Sequence, residues 1–140
     1  MLPLDTTPAA TPTKLPFYRH LYVQVLAATP AQDASRAELI ENLAASIYKQ
    51  GEAANTAADY RAAANHFLRI KAAAPTSKIR AGAQYDAGAA LMRLQDWKVA
   101  AQVLDEFRSD NPTHELVKDA TKQIASAFQQ AGDLGGAASE

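Results

Sequence analysis

The segment at residues 59–75, DYRAAANHFLRIKAAAP, decides the fold, because a related segment, DWKVAAQVLDEFRSDNP, occupies residues 96–112. The two segments start 37 residues apart (96 − 59), and the same shift aligns a third, shorter stretch at residues 133–140. Matching alanines mean little in a chain so rich in alanine. Aspartate, aromatic and proline positions coincide at the same spacing, as do two glycines upstream. Such a spacing indicates an array of stacked structural units.

Matched residues predict how each helix begins and which face it buries. Asp59 and Asp96 are expected N-caps, whose carboxylates accept N–H groups of the first helical turn. Asp133 occupies the same position in the third unit, and we expect another helix to begin there. A large residue follows each aspartate, and alanines and larger apolar residues continue the stripe at helical spacing. This stripe comprises Tyr60, Ala63, Ala64, Phe67 and Ile70 in the first unit and Trp97, Ala100, Ala101, Leu104 and Phe107 in the second.

Glycine and proline positions predict how the helices meet. Gly51 and Gly88 lie inside predicted helices, where glycine costs about 1 kcal/mol relative to alanine. We therefore expect the paired helix to pass close to each of them. Pro75 and Pro112 are expected to end one helix and to lie in the first turn of the next. The helices predicted from these signals span residues 33–56, 59–73, 76–94, 96–110 and 113–131.

The chain before the repeat has a different composition. Residues 1–16 hold four prolines among threonine and alanine, and we expect a flexible lead. Residues 17–32 are predicted to form a short helix and a turn. Phe17, Leu21 and Val25 lie four apart, as on one face of a helix, although a strand is also possible for so short a run.

The repeat domain is expected to cover residues 33–140. Asp33 or Ser35 is a candidate cap for its first long helix, whose apolar stripe is Leu39, Leu43 and Ile47. The predicted fold is all-α, an α-α superhelix of about two and a half helix hairpins after an N-terminal helix. Its units are expected at about residues 39–75, 76–112 and, truncated, 113–140.

Composition and charge argue against several classes of function. The net charge of -1 comes from interleaved acids and bases, without the basic stripe that is typical of nucleic-acid binders. No apolar stretch approaches the roughly 20 residues that span a bilayer, so we expect no direct membrane insertion. Met1 leads into a proline- and threonine-rich segment, which is unlike a secretory signal. The chain has no cysteine and hence no disulfide or thiol chemistry.

No residue pattern indicates catalysis, and we expect neither an enzyme nor a cofactor. His20, His66 and His114 are far apart, and none has a second ligand at helical spacing, so we expect no metal site. His66 is predicted to be solvated on the outer face of its helix. The chain also lacks a glycine-rich phosphate loop and a nucleophile elbow.

The matched residues resemble a known repeat family. Their order is glycine, an aromatic after a short turn, alanine, a large apolar residue and a terminal proline, which resembles the tetratricopeptide repeat. That repeat is commonly 34 residues long, and the extra length lies between Pro75 and Gly88. The longer form, AAPTSKIRAGAQYDAG at residues 73–88, is similar to repeats of bacterial cell-envelope proteins. Examples are the lipoprotein subunit of the outer-membrane β-barrel assembly machine and the periplasmic coordinator of the Tol–Pal system.

The resemblance implies a right-handed superhelix whose inner groove, lined mainly by the first helix of each hairpin, holds a partner peptide or domain. It implies a non-catalytic protein–protein interaction scaffold and favours the periplasm or cell envelope over the cytoplasm. A lysine/asparagine clamp that binds C-terminal carboxylates in one subfamily is absent, so we do not expect heat-shock chaperones as partners. By matching positions, the groove-lining candidates are Tyr48, Glu52, Asn55, Tyr85, Met92, Arg93, Lys122, Ser126 and Gln129.

Three aromatic residues have competing interpretations. Trp97 shares its position with Tyr60, so we expect core packing rather than ligand stacking. Tyr48 and Tyr85 share a position off the main apolar stripe, where partner binding and hairpin packing are about equally plausible. Exposed tyrosines make good interface anchors because they offer a large area at low entropic cost.

The third unit predicts an unpartnered helix face. Its apolar positions Leu116, Ala120, Ile124 and Phe128 are expected to lack a covering helix. We therefore expect either a larger protein of which this chain is one piece, or a homodimer that covers the exposed face of residues 113–131. Self-assembly of this kind is the alternative function.

Overall fold

The computed structural model describes residues 19–28 and 35–135, and every regular element in them is a helix. The predicted all-α fold is therefore confirmed, and residues 17–32 contain a helix rather than a strand. The proline-rich lead at residues 1–16 lies outside the described residues. The helices are α1 (Arg19–Ala28), α2 (Ser35–Thr56), α3 (Tyr60–Ala73), α4 (Arg80–Leu94), α5 (Trp97–Asp110) and α6 (Val117–Gly135).

Each helix packs against its neighbours in chain order, as expected for a helical-repeat array. Helices α2 and α3 form the first hairpin, and α4 and α5 form the second. Helix α2 also touches α4 directly, so the first helices of the two hairpins lie side by side. The predicted stripe of α2 is confirmed, since Leu43 and Ile47 are buried and Leu39 packs against the same core.

Two glycines allow the helices of each hairpin to nest, as predicted. A Cβ atom placed on Gly51 would lie 2.4 Å from Cε1 of Phe67, and one placed on Gly88 would lie 2.4 Å from Cδ2 of Leu104. Gly51 and Gly88 are 37 residues apart, and so are Phe67 and Leu104. Equivalent positions of the two units therefore make equivalent contacts.

The turn inside each hairpin is also repeated. Ala58 and Gln95, which are equivalent, both have left-handed backbones with φ of 62° and 67°. The Asp59 N–H donates to the Ala54 carbonyl (2.9 Å), and the Asp96 N–H donates to the Leu91 carbonyl (3.0 Å). This pattern closes the end of a helix by pairing its last carbonyls.

The predicted starts of the second and third units are wrong by several residues. Helices α4 and α6 begin at Arg80 and Val117 rather than near residues 76 and 113. Pro75 and Pro112 do end the preceding helices, but each then lies in a turn rather than in the next helix. A second turn follows in both units, with the Arg80 N–H bonded to the Ser77 carbonyl (3.2 Å).

Only one of the three predicted aspartate caps forms. The Asp59 carboxylate accepts from the Ala62 N–H at 3.2 Å. Asp96 has nearly the same backbone angles but caps nothing, because its carboxylate accepts from Nη2 of Arg61 at 3.2 Å. No helix starts at Asp133, since α6 continues through it to Gly135.

Tyr60 and Trp97 lie in similar surroundings, at the first residues of α3 and α5. Each packs against a core cluster, but both are half-buried rather than fully buried. The indole N–H of Trp97 is shielded from solvent without an acceptor in the described part of the chain. The fully buried large residues are further along each helix, at Ile70 and Phe107.

The face of α1 that the sequence predicts to be apolar points away from the core. Leu21 and Val25 are 43% and 46% exposed, whereas Leu26 is buried and Tyr22 packs against the core. Phe17, the third residue of the predicted stripe, lies outside the described residues. The carbonyl of Leu26 accepts from Nη1 of Arg36 at 2.8 Å, which ties the end of α1 to α2.

Candidate partner-binding groove

A pocket of about 270 Å³ lies where α2 and α4 run side by side, with α3 beneath them. We call it the α2–α4 pocket. Its walls come from the first helices of the two hairpins, and its floor includes the ring of Phe67. The lining residues are Tyr48, Glu52, Asn55, Phe67, Asp86, Ala89, Ala90 and Arg93.

Four of the predicted groove residues come together in this pocket. Tyr48, Glu52 and Asn55 lie on α2, and Arg93 faces them from α4. Asp86 also lines the pocket. Comparing equivalent positions of the repeat units did not identify it, because the position equivalent to Asp86 in the next unit is a glutamine. One signal was present, since Asp86 is the only acidic residue of α4.

Tyr48 both packs the first hairpin and lines the pocket. Its ring lies 5.0 Å from the ring of Phe67, centroid to centroid. Its hydroxyl donates to Oδ2 of Asp86 at 2.5 Å, across the gap between α2 and α4. Burial, strengthened by the Asp86 carboxylate, raises the pKa of Tyr48 well above its ordinary value. The two interpretations that the sequence left open thus describe different parts of one side chain.

Tyr85, at the equivalent position, bridges α4 and α6. Its ring packs edge-on against Phe107 with centroids 5.6 Å apart, and its hydroxyl bonds to Asp119. Nε2 of Gln123 donates to the same hydroxyl at 2.6 Å. Burial, followed by the bond to Asp119, raises the pKa of Tyr85 to about 12. Tyr85 therefore belongs to the packing between units and does not line the α2–α4 pocket.

The remaining groove candidates are placed elsewhere. Met92 is half-buried and packs against both core clusters, so it is mainly a structural residue. Lys122, Ser126 and Gln129 are exposed on α6, and none of them lines the α2–α4 pocket. The structure therefore gathers the first-unit candidates and Arg93 into one site and leaves the third-unit candidates on open surface.

Polar groups in the α2–α4 pocket are incompletely paired. Burial raises the pKa of the Asp86 carboxyl; the hydrogen bond from Tyr48 opposes this rise, and the charge of Glu52 adds to it. Oδ1 of Asn55 is shielded from solvent and accepts no hydrogen bond from the described residues. The guanidinium of Arg93 lies over the ring of Tyr60, 5.7 Å from its centroid. A buried acceptor without a donor costs free energy.

The histidines do not form a site. His66 is half-buried rather than solvated, because Nη1 of Arg69 lies 2.9 Å from its Nδ1. Burial and then the charge of Arg69 lower the pKa of His66. His114 packs against Phe107 and accepts from the Leu116 N–H at 3.1 Å. Within residues 19–28 and 35–135, no group of three metal-ligating side chains is close enough to hold a metal ion.

The predicted unpartnered face of the third unit is largely covered. Ala120 and Ile124 are buried against α5, and Leu116 packs against the same cluster. Phe128 is 62% exposed and borders an open cavity of about 450 Å³ between α5 and α6. Ala125 is equivalent to the buried Gly51 and Gly88 but is exposed, so this side of α6 carries no paired helix within the described residues.

None of the described helices is long and apolar enough to cross a lipid bilayer. No protein-family model, curated protein or solved structure matches this chain. The structure therefore establishes an all-helical repeat arrangement.

Proposed function

We propose that this chain is a non-catalytic interaction module that holds a partner polypeptide in the groove between α2 and α4. The observation that carries the proposal is the α2–α4 pocket, where side chains from two hairpins converge around incompletely paired polar groups. Aromatic surface and convergent polar groups are the usual means by which proteins anchor a ligand.

The architecture of the groove supports a polypeptide rather than a small metabolite. Its walls are the first helices of adjacent units, and Tyr48 spans them through its bond to Asp86. Stacked helix pairs of this kind provide extended surfaces, which suit an extended or helical segment. Placement in the cell envelope follows from the resemblance described above and is part of this proposal.

Filling the pocket is expected to abolish partner binding. Ala89 lines the pocket, and Ala89→Gln adds bulk without charge and with only a small loss of helix propensity. We expect peptides selected from a random phage library against the full chain to bind Ala89→Gln at least about tenfold more weakly, or by ~1.4 kcal/mol, in fluorescence anisotropy. Ala72→Gln, on the exposed surface of α3, is the matched control and should bind like the wild type.

Selected peptides that bind both variants equally well would show that the groove is not the binding surface. Circular dichroism of the two variants checks that each retains its helices. Failure to select any peptide would also count against the proposal.

Self-association is the second candidate function, favoured by the exposed ring of Phe128. The ring lies beside the open cavity between α5 and α6, where Ala101 and Ile124 are buried and the other lining side chains are polar or charged. A second copy seated there would cover Phe128 and the exposed Ala125. Sedimentation velocity of the full chain is expected to show a concentration-dependent dimer that Phe128→Asp abolishes. A monomer at every concentration would rule out this function and leave the groove proposal intact.

A further inference from the structure

The two units share their structural residues but not the polar residues of the α2–α4 pocket. The positions equivalent to Glu52 and Asn55 are Ala89 and Met92, and the position equivalent to Asp86 is Gln123. The hairpins nest equally well in both units, as the contacts of the two buried glycines show. Glu52 and Asn55 are therefore not required for building the repeat.

Asp86 illustrates this difference most clearly. The Tyr48 hydroxyl donates to Asp86, whereas Gln123, at the equivalent position, donates to the Tyr85 hydroxyl, whose own acceptor is Asp119 of α6. The carboxylate of Asp86 is costlier than an amide, because it is half-buried and close to Glu52. A half-buried carboxylate beside a second carboxylate would be stabilised by a cationic group in the pocket.

Three charged side chains face the pocket. Glu52 comes from α2, and Asp86 and Arg93 come from α4. Arg93 lies over the ring of Tyr60, and among the described residues it forms no ion pair with either carboxylate. Glu52 pairs with Lys49 at 3.6 Å, but both side chains are about half exposed, and such pairs are weak. The pocket thus has an excess of negative charge and an unpaired acceptor, Oδ1 of Asn55.

We infer that the α2–α4 pocket receives a lysine or arginine side chain of the partner polypeptide, held by Glu52 and Asp86. An ammonium or guanidinium group supplies only donors, and these would pair with both carboxylates at once. The apolar stem of the incoming side chain would lie along the rings of Tyr48 and Phe67, which line the same pocket. This inference rests on the proposed function and names the chemistry of the partner.

The test uses the selected peptides, with each basic residue replaced in turn by the uncharged norleucine. One replacement is expected to weaken binding to the wild-type chain by at least about tenfold in fluorescence anisotropy. The same replacement should have almost no effect on binding to the Glu52→Gln/Asp86→Asn variant, because the carboxylates that receive the cation are gone. An asparagine at position 86 can still accept from the Tyr48 hydroxyl, so the variant is expected to fold.

The matched control is Glu38→Gln/Glu115→Gln, which removes two exposed acidic charges far from the pocket. It should keep the wild-type response to norleucine. Peptides that bind the groove without a basic residue, or a norleucine effect as large in the pocket variant as in the wild type, would overturn the inference and leave the proposed function standing. If Ala89→Gln leaves peptide binding unchanged, the proposed function and this inference fail together.

Discussion

Phe107→Ala is expected to lower the free energy of unfolding by about 3–5 kcal/mol, the usual cost of removing a fully buried aromatic side chain. Phe107 has no exposed surface. Its ring contacts those of Tyr85, at 5.6 Å, and His114, at 5.1 Å. One side chain therefore joins α4, α5 and the turn that leads to α6, and alanine would leave a cavity among all three.

Urea unfolding followed by circular dichroism measures this effect. Phe128→Ala makes the same chemical change at a side chain that is 62% exposed, and it should alter the stability by less than about 0.5 kcal/mol. Equal destabilisation by the two substitutions would show that Phe107 does not occupy the centre of the second hairpin.

Much of the fold could be predicted because repeated residues report on repeated contacts. Gly51 and Gly88 carried a cost inside a helix that only a close helix crossing explains, and the structure places Phe67 and Leu104 against them. The spacing also identified both hairpins. It did not reveal that Pro75 lies in the first of two consecutive turns, because a proline is compatible with both a turn and the first turn of a helix.

The repeat pattern could not predict the hydrogen bonds that a side chain makes with a neighbouring unit. Asp59 and Asp96 have the same sequence position and the same backbone, yet Arg61 of the first unit draws the Asp96 carboxylate away from its cap. Trp97 is half-buried, so its truncation should cost less than that of Phe107. The spacing of apolar residues along one helix predicts which face is buried but not the contacts that each residue finally makes.

Part of the candidate site could be predicted from the sequence. Tyr48, Glu52 and Asn55 were found by comparing positions between units, and they do line one pocket with Arg93. Asp86 was not predicted as a pocket residue. Comparing the two units identifies residues that the units share, whereas the pocket contains residues that differ between them. The prediction of the apolar face of α1 was wrong for a simpler reason, since Leu21 and Val25 are too few to define a stripe.

Gly51→Ala is expected to destabilise the protein. The added Cβ would lie 2.4 Å from the ring of Phe67, so this buried ring would have to shift. Overpacking of this kind costs about 1–3 kcal/mol, and the gain in helix propensity of about 1 kcal/mol offsets only part of it. We expect a net loss of about 1–2 kcal/mol.

Gly82→Ala is the matched control, because it is the same substitution in a helix where nothing lies within 4 Å of the added Cβ. It should stabilise the protein by about 0.5–1 kcal/mol through helix propensity alone.

The difference in unfolding free energy between Gly51→Ala and Gly82→Ala, measured by urea denaturation, tests most directly whether paired helices nest at the repeated glycines. The nested arrangement predicts opposite signs, with Gly51→Ala less stable and Gly82→Ala more stable than the wild type. Equal stabilisation by both substitutions would mean that no helix crosses closely at Gly51, and the hairpins that form the groove would not be packed as described.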